Sequence, residues 1–308
     1  MTSSSGFAIR PMAVEDIPAV TAWARREGFC PGPRDVAILR RADRTGVWVG
    51  CLNGEPIGCI IGVRWDRRYG FLGLFLVRPE HRGRGYGVAL WRRALEHLAD
   101  VACIGLEAAP ERVDDYAGWG FRPAWDTCRW SLQPAVLAGA PPGLPAGHRL
   151  VSADAVPEAV VQAYDARHEA TPRPHFLHEW LREDRDPEGA TSPAAVWVVQ
   201  DGEGRCRGFG RIRPCLLPPG GGRAGSWGWR VGPWIADTPA IAAALLDGLR
   251  RDRPGPVLVD APQVNAAAGR LLERNGFRPV SRTVRMYRGT PPSLPMGDLY
   301  GLACLELG

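Results

Sequence analysis

Between Leu74 and Leu98 the chain runs from an apolar strand through a basic turn with glycine at alternate positions and straight into an amphipathic helix. The strand is Leu74-Phe75-Leu76-Val77, and the turn closes with Arg82-Gly83-Arg84-Gly85-Tyr86-Gly87. Apolar Leu90, Trp91, Ala94, Leu95 and Leu98 then recur at helical spacing, with Arg92, Arg93, Glu96 and His97 between them. Alternating glycines let a backbone approach a ligand without side chains in the way, and a new helix offers unpaired N–H groups at the positive end of its dipole. Arg82 and Arg84 add charge-assisted donors at the same place. The order therefore predicts a pyrophosphate cradle.

Two commoner phosphate loops fail on residue grounds. A Walker loop ends in Gly-Lys-Ser/Thr, and this chain contains no lysine. A dinucleotide loop needs glycine where Val88 stands, because the glycine phase here is 83, 85, 87. Glu107 does lie at the right distance downstream to hold a ribose, which keeps that reading as the lesser alternative.

After the helix, Ala102–Ala108 reads as a short buried strand, and Tyr116-Ala117-Gly118-Trp119-Gly120-Phe121 follows. The turn, with Arg82, Gly85 and Gly87 in an Arg/Gln-x-x-Gly-x-Gly/Ala pattern, resembles that of the GCN5-related N-acetyltransferases (GNAT). Val77-Arg78-Pro79 before it and the Tyr-x-x-x-Gly-Phe ending fit the same family. The resemblance implies that the amides of Arg82 to Gly87 bind the diphosphate of acetyl-CoA and that Phe75, Leu76 and Val77 align its pantetheine arm. It also implies that Tyr116 protonates the departing thiolate. The asparagine such enzymes usually carry seven residues before the tyrosine is Ala109 here, which puts one cofactor contact in doubt.

At 308 residues the chain is long for one compact domain and natural for two. It repeats itself at low resolution. Gly46–Gly58 is a strand, an Asn-Gly turn and another strand, and Ala195–Glu203 does the same with Asp-Gly. Gly120-Phe121-Arg122-Pro123 is echoed by Gly276-Phe277-Arg278-Pro279, each after a strand ending in an acid and alanine, Glu107-Ala108 and Asp260-Ala261. The expected fold is α/β with a mixed sheet: two tandem GNAT-type domains, 1–133 and 148–308, joined by a proline- and glycine-rich linker at 134–147. A second loop, Pro218–Arg223, reads as an exposed hairpin tip.

The second copy is degenerate where chemistry would occur. Val231–Ala240 lacks the arginines and alternating glycines of the first turn, and Leu272 stands where Tyr116 would be. One acetyl-CoA per chain is expected, with the second domain structural and acceptor-binding. The Gly-Pro-x-x-Ala-Asp segment at Gly232–Asp237, the Arg-Met-Tyr-Arg-Gly run at Arg285–Gly289 and an expected terminal strand ending Glu306-Leu307-Gly308 resemble the YitH-like subgroup of bacterial tandem acetyltransferases.

The formal charge of +5 suits a polyanionic co-substrate, but the arginines are scattered, with no stripe interleaved with stacking aromatics, which argues against nucleic acid. Arginine to the exclusion of lysine, with much alanine, glycine and proline, suggests a GC-rich bacterial genome. The eight cysteines show no Cys-x-x-Cys pair and read as reduced core thiols. The six histidines give no ligand spacing beyond His175 and His178, so no metal is expected. No secretory leader and no membrane-spanning run appears, which points to a cytoplasmic protein, monomer or homodimer.

Acetyl transfer needs a held thioester, a neutral amine in line with it and a proton donor for the thiolate. A phenol, with a reference pKa of about 10, suits the last role. Glu107 is the first candidate for the base, acting through water, with Asp66 and His81 behind it. Candidates for acceptor recognition in a cleft between the halves are Tyr164, Asp165, Arg173, His175, Trp180 and Arg211. The leading reading is an acetyl-CoA-dependent N-acetyltransferase on a small metabolite or antibiotic-like amine. Its rivals are a silent CoA-binding module and a protein acetyltransferase.

Overall fold

The computed structural model describes residues 6–133, 143–182, 194–219, 227–251 and 253–308. The 134–142 part of the expected linker and the 220–223 part of the Pro218–Arg223 loop lie outside them.

The first half runs β1 (Phe7–Pro11), α1 (Ile17–Arg26), α2 (Asp35–Ala42), β2 (Val47–Leu52), β3 (Glu55–Arg64), β4 (Tyr69–Val77), α3 (Tyr86–His97), β5 (Cys103–Ala108), α4 (Val113–Ala117) and β6 (Arg122–Leu132). The second runs β7 (Arg149–Ser152), α5 (Glu158–Asp165), α6 (Pro174–Leu181), β8 (Ala195–Gln200), β9 (Cys206–Leu216), β10 (Trp227–Ala236), α7 (Pro239–Arg250), β11 (Val257–Pro262), α8 (Ala266–Arg274), β12 (Arg278–Arg288) and β13 (Leu299–Gly301). The β2–β3 turn follows the Asn-Gly expectation, with Asn53 and Gly54 both at positive φ. The β8–β9 turn is longer than two residues, because the Asp201 carboxylate accepts from the N–H groups of Glu203 and Arg205 and holds a wider loop.

All thirteen strands of the described residues join one mixed sheet in the order β1-β2-β3-β4-β5-β12-β6-β11-β10-β9-β8-β7, with β13 on β10. Each half keeps its first five strands and gives its sixth to the other. Thus β12 of the second half lies beside β5, and β6 of the first lies beside β11. The exchanged strands pair with each other around Thr127 opposite Thr283. Two buried ion pairs cross the exchange: Arg285 of β12 to Glu107 of β5, and Arg129 of β6 to Asp260 of β11, both at 2.7 Å. Such pairs contribute little net stability but penalise loss of either partner, so they fix which strands associate.

Two layers cover the first half's sheet. Leu90, Trp91 and Ala94 of α3 pack on one face with Ile60, Leu72 and Leu106. Val20, Trp23, Val36 and Leu39 of α1 and α2 pack on the other with Leu74, Leu76 and, from α6, Phe176 and Trp180. All eight cysteines are free and buried. Among the described residues no helix is long and apolar enough to cross a membrane.

Candidate active site

The site begins with a bulge. Leu74 takes a left-handed φ of 43°, and the pairing of β4 with β3 slips between Cys59 and Ile61. One inserted residue flips the alternation of side chains. Leu72 faces α3, and beyond the bulge so do Phe75 and Val77, while Leu74 and Leu76 turn to the α1–α2 face. At the same place β4 leaves β5, since their parallel pairing runs from Tyr69–Cys103 to Leu72–Leu106 and stops. Phe75, Leu76 and Val77 therefore line one arm of an open V, and Glu107 and Ala108 the other.

The glycine turn closes the wide end of the V. Gly83 and Gly85 take φ values of 74° and 85°, and a Cβ on either would meet nothing within 4 Å, so the chain has glycine there for conformation rather than for space. Among the described residues the N–H groups of Gly83, Arg84 and Gly85 enter no backbone–backbone hydrogen bond, and the first helical return is Ala89 N–H to the Gly85 carbonyl at 3.1 Å. Gly85 caps α3 in the left-handed conformation with no side-chain capping bond. A row of amides thus stands free at a helix N-terminus, the arrangement that binds a phosphate anion. The flanking side chains divide. Arg82 donates Nε to the Val77 carbonyl at 2.8 Å and pairs with Glu27 at the end of α1, so it pins the turn to the strand. Arg84 is exposed and Tyr86 stacks on Phe7 with ring centres 4.6 Å apart. Gly87 lies against Phe75, where a Cβ would come within 3.3 Å of the ring.

Tyr116 sits on the short α4 with its ring 5.0 Å from that of Trp91. Burial pushes its phenol up to about 12, only partly opposed by the nearby Arg112 guanidinium. It stays a proton donor throughout the neutral range.

Glu107 needs correction. Its carboxylate accepts from Arg285 Nε at 2.7 Å and Thr127 Oγ1 at 3.1 Å on one oxygen, and from Thr283 Oγ1 at 2.6 Å on the other. Both oxygens are committed to holding the exchanged strand, which takes this carboxylate out of the base role. Asp66 is committed too. Burial would raise its carboxyl, but hydrogen bonds from Thr171, Arg68 and two backbone amides hold it below the usual range. His81 is half-buried beside the turn, with Nδ1 buried and unbonded among the described residues.

The acceptor set drawn from the second half is not brought together. The Tyr164 hydroxyl donates to Asp237 at 2.6 Å inside a separate core with Phe209. Asp165 and Arg173 form a buried pair at 3.0 Å. Trp180 is fully buried under Arg211 and Arg213, whose guanidinium carbons lie 5.1 Å and 4.4 Å from its ring centre. His175 is exposed in a surface groove of about 380 Å³ between α2 and α6. Arg173 lines a small cavity on the α1–α2 face, with Trp65, Tyr69 and Glu169. Sequence reasoning passed over Glu169, whose carboxyl burial raises to about 7, with Asp165 adding to the rise and Arg173 opposing it. No spacing marks it, because its surroundings come from β4 and from the loop before α6.

The second half repeats the geometry and fills it. Its β10 pairs with β11 through Val231–Val259 and slips against β9 between Val231 and Trp234. There β13 pairs with β10, and the Leu302 N–H donates to the Asp260 carbonyl at 2.9 Å, so a strand occupies the second V. The turn is closed as well: Thr238 Oγ1 accepts from Ile241 N–H at 3.3 Å, and Pro239 has no N–H to offer. Leu272, opposite Tyr116 in the repeat, is fully buried.

Comparison with known proteins agrees with this duplication. The acetyltransferase (GNAT) family model matches residues 17–119, and an acetyltransferase (GNAT) domain model matches 161–301. This chain is a tandem GNAT acyltransferase. The tandem GNAT is 27% identical over 97% of its length to 94% of a holothin acyltransferase of Pseudoalteromonas sp. (strain SANK 73390). In fold it resembles a putative acetyltransferase from Pyrococcus horikoshii, with a TM-score of 0.76 and 22% identity over 100% of this chain and 98% of that one. It also resembles a tandem GNAT protein from the clavulanic acid biosynthesis pathway, with a TM-score of 0.64 and 18% identity over 93% of this chain and 99% of that one. The family's usual co-substrate is acetyl-CoA.

Proposed function

We propose that this tandem GNAT moves an acetyl group from acetyl-CoA to the amine of a small metabolite or antibiotic-like acceptor by direct attack in a ternary complex, and that it belongs to the YitH-like subgroup. The observation that carries the reading is the open V of β4 and β5 beside free amides at Gly83–Gly85, against the filled V of β10 and β11. In this reading the amides and the α3 dipole hold the diphosphate, and the pantetheine arm lies between Phe75–Val77 and Ala108. The thioester reaches the vertex at Leu74, and the Tyr116 phenol gives its proton to the leaving sulfur. The amine enters from the α1–α2 face. One co-substrate binds per chain, and the second half, from 148 onward, serves structure and acceptor.

A relative named as the acyltransferase of one compound, holothin, favours a small acceptor over a protein one. The test is free-thiol release from acetyl-CoA across a panel of small amines. Release with at least one amine, saturable in both substrates with intersecting initial-rate patterns, is the expected result. Co-substrate binding without release in the presence of any amine would favour a silent CoA-binding module instead.

A further inference from the structure

Gly73 stands at the vertex of the open V, immediately before the bulge residue of β4. It has no room for a side chain: a Cβ there would meet the carbonyl oxygen of Glu306 at 1.9 Å. Gly232, at the corresponding place in β10, would meet the carbonyl oxygen of Leu302, also at 1.9 Å. The segment from Leu302 to Glu306 therefore crosses from the second vertex to the first. It does so on the α1–α2 face, where Ala303, Cys304 and Leu307 pack with Trp23, Val36 and Leu39. A piece of the second half thus lies over the vertex of the first V, the point to which the acetyl-transfer reading brings the thioester and the amine.

That piece carries one carboxylate. The Glu306 side chain is 8% exposed, and Arg230 Nη1 stands 3.8 Å from it, beyond hydrogen-bond reach. Arg230 directs its own bonds to Asp260 and to the Phe29 carbonyl. Other carboxylates of this face are paired: Glu107 by Arg285, Asp260 by Arg129 and Arg230, Asp35 by Arg213 at 2.9 Å and Glu169 by Arg173 at 2.5 Å. Among the described residues neither oxygen of Glu306 is a buried, unbonded polar atom and no hydrogen bond engages the carboxylate, so an oxygen remains accessible.

We propose that Glu306 is the proton acceptor for the acceptor amine, a catalytic residue that the second half's terminal segment supplies to the first half's thioester. The inference rests on the acetyl-transfer reading above. An ammonium acceptor gives Glu306 one proton, and the freed lone pair attacks the thioester carbon to form the N–C bond. Collapse of the adduct breaks the C–S bond, and the thiolate takes the Tyr116 proton. The second proton shed by nitrogen returns through water to the phenolate. Of the two protons lost by the ammonium, one leaves on the thiol and the other passes from Glu306 to solvent.

The charged and titratable groups that interact with Glu306 are Arg230 from β10, Cys30 from the α1–α2 loop and Cys304 from its own segment, and these in turn face Asp260 from β11, Arg129 from β6, Arg213 from β9 and Asp35 from α2. The arginines are charged at every working pH and the two thiols are raised by burial, the main cause in both cases, so they do not titrate in the range that matters.

The experiment is thiol release against pH for the full chain and for Glu306→Gln, with acetyl-CoA affinity measured by calorimetry. Glu306→Gln should lower kcat/KM for the amine roughly 100-fold near neutrality. Acetyl-CoA affinity should not change, and the deficit should shrink as pH rises toward the amine's own pKa, where no base is needed. Wild-type rates in the variant, or a loss equal at every pH, would overturn the proposal alone. A parent that releases thiol with no amine would overturn the transfer reading and this proposal together. Should Glu306→Gln fail to fold, Glu306→Asp keeps the charge beside Arg230 and becomes the working variant. A smaller loss that narrows with pH then supports the role, and an unchanged profile overturns it.

Discussion

The V between β4 and β5 and the V between β10 and β11 start from one plan and end as opposites. Both follow a short parallel pairing, both have a glycine at the vertex, and both have a carboxylate one residue beyond the last paired position, Glu107 and Asp260. In the first, the strand edges and the turn amides stay open. In the second, β13 takes the strand edge, Thr238 takes a helix amide and Pro239 removes another. A ligand site in this fold is thus a matter of which hydrogen-bonding groups are left unpaired. The duplication could lose a site without losing a strand, because the strand edge and a helix amide of the second V found partners inside the chain.

The contrast is broken most severely by Gly85→Asp. A carboxylate against the diphosphate repels it, and the left-handed φ of 85° is strained for the new residue, so acetyl-CoA binding should be lost by calorimetry while the chain stays folded. Unchanged affinity would show that the cradle is elsewhere. Stoichiometry in the parent should be one, and two equivalent sites would contradict the closed second V.

The crossed ion pairs should behave alike in the two halves. Glu107→Gln and Asp260→Asn each leave a buried arginine without its counter-charge and should each destabilise by about 3–5 kcal/mol in denaturant melts. If Glu107→Gln instead kept full stability and lost only turnover, its assignment as a strand-fixing group would fail. Burial pushes the Asp260 carboxyl up, and the guanidinium groups of Arg129 and Arg230 more than reverse this, leaving it well below the usual range. Its contribution is therefore complete above the unfolded carboxylate value of about 4 and is lost as pH falls through the lower folded value. Acid unfolding of the parent should steepen there, and Asp260→Asn should flatten it.

Tyr116→Phe sharpens the chemical difference between the halves. It should lower kcat by about 100-fold with acetyl-CoA affinity intact, since the phenol acts on the departing sulfur and the second half has buried Leu272 in its place. Because burial holds the phenol at about 12, the parent's rate should show no alkaline fall from this group below about pH 11. Smallest of all, Thr238→Ala should cost about 1 kcal/mol of stability as a lost helix cap and leave acetyl-CoA stoichiometry and rate unchanged. A new binding site in that variant would mean that the cap alone had closed the second turn.

Local order carried much of this into the sequence. The strand, glycine turn and helix of the first half, the duplication and the GNAT fold depend on backbone conformation and on residues close in the chain, and such patterns survive in one dimension. The acceptor set fared differently. Tyr164, Asp165, Arg173, Trp180 and Arg211 are polar or aromatic residues of the kind a cleft uses, but they find partners in the interior: Tyr164 in Asp237, Arg173 in Asp165 and Trp180 in Arg211. Burial of a side chain depends on which element covers it, and that is not written beside it.

By itself the sequence marked the half whose turn amides stay unpaired, because glycine phase, helix start and the absence of proline at that turn are local. Only the tertiary structure decided which carboxylates are free. Strand exchange between the halves put Arg285 beside Glu107 and Arg129 beside Asp260, while the terminal segment brought Glu306 against Gly73. Those contacts join residues more than 100 positions apart, and a carboxylate's role depends on the charge next to it in space rather than in the chain.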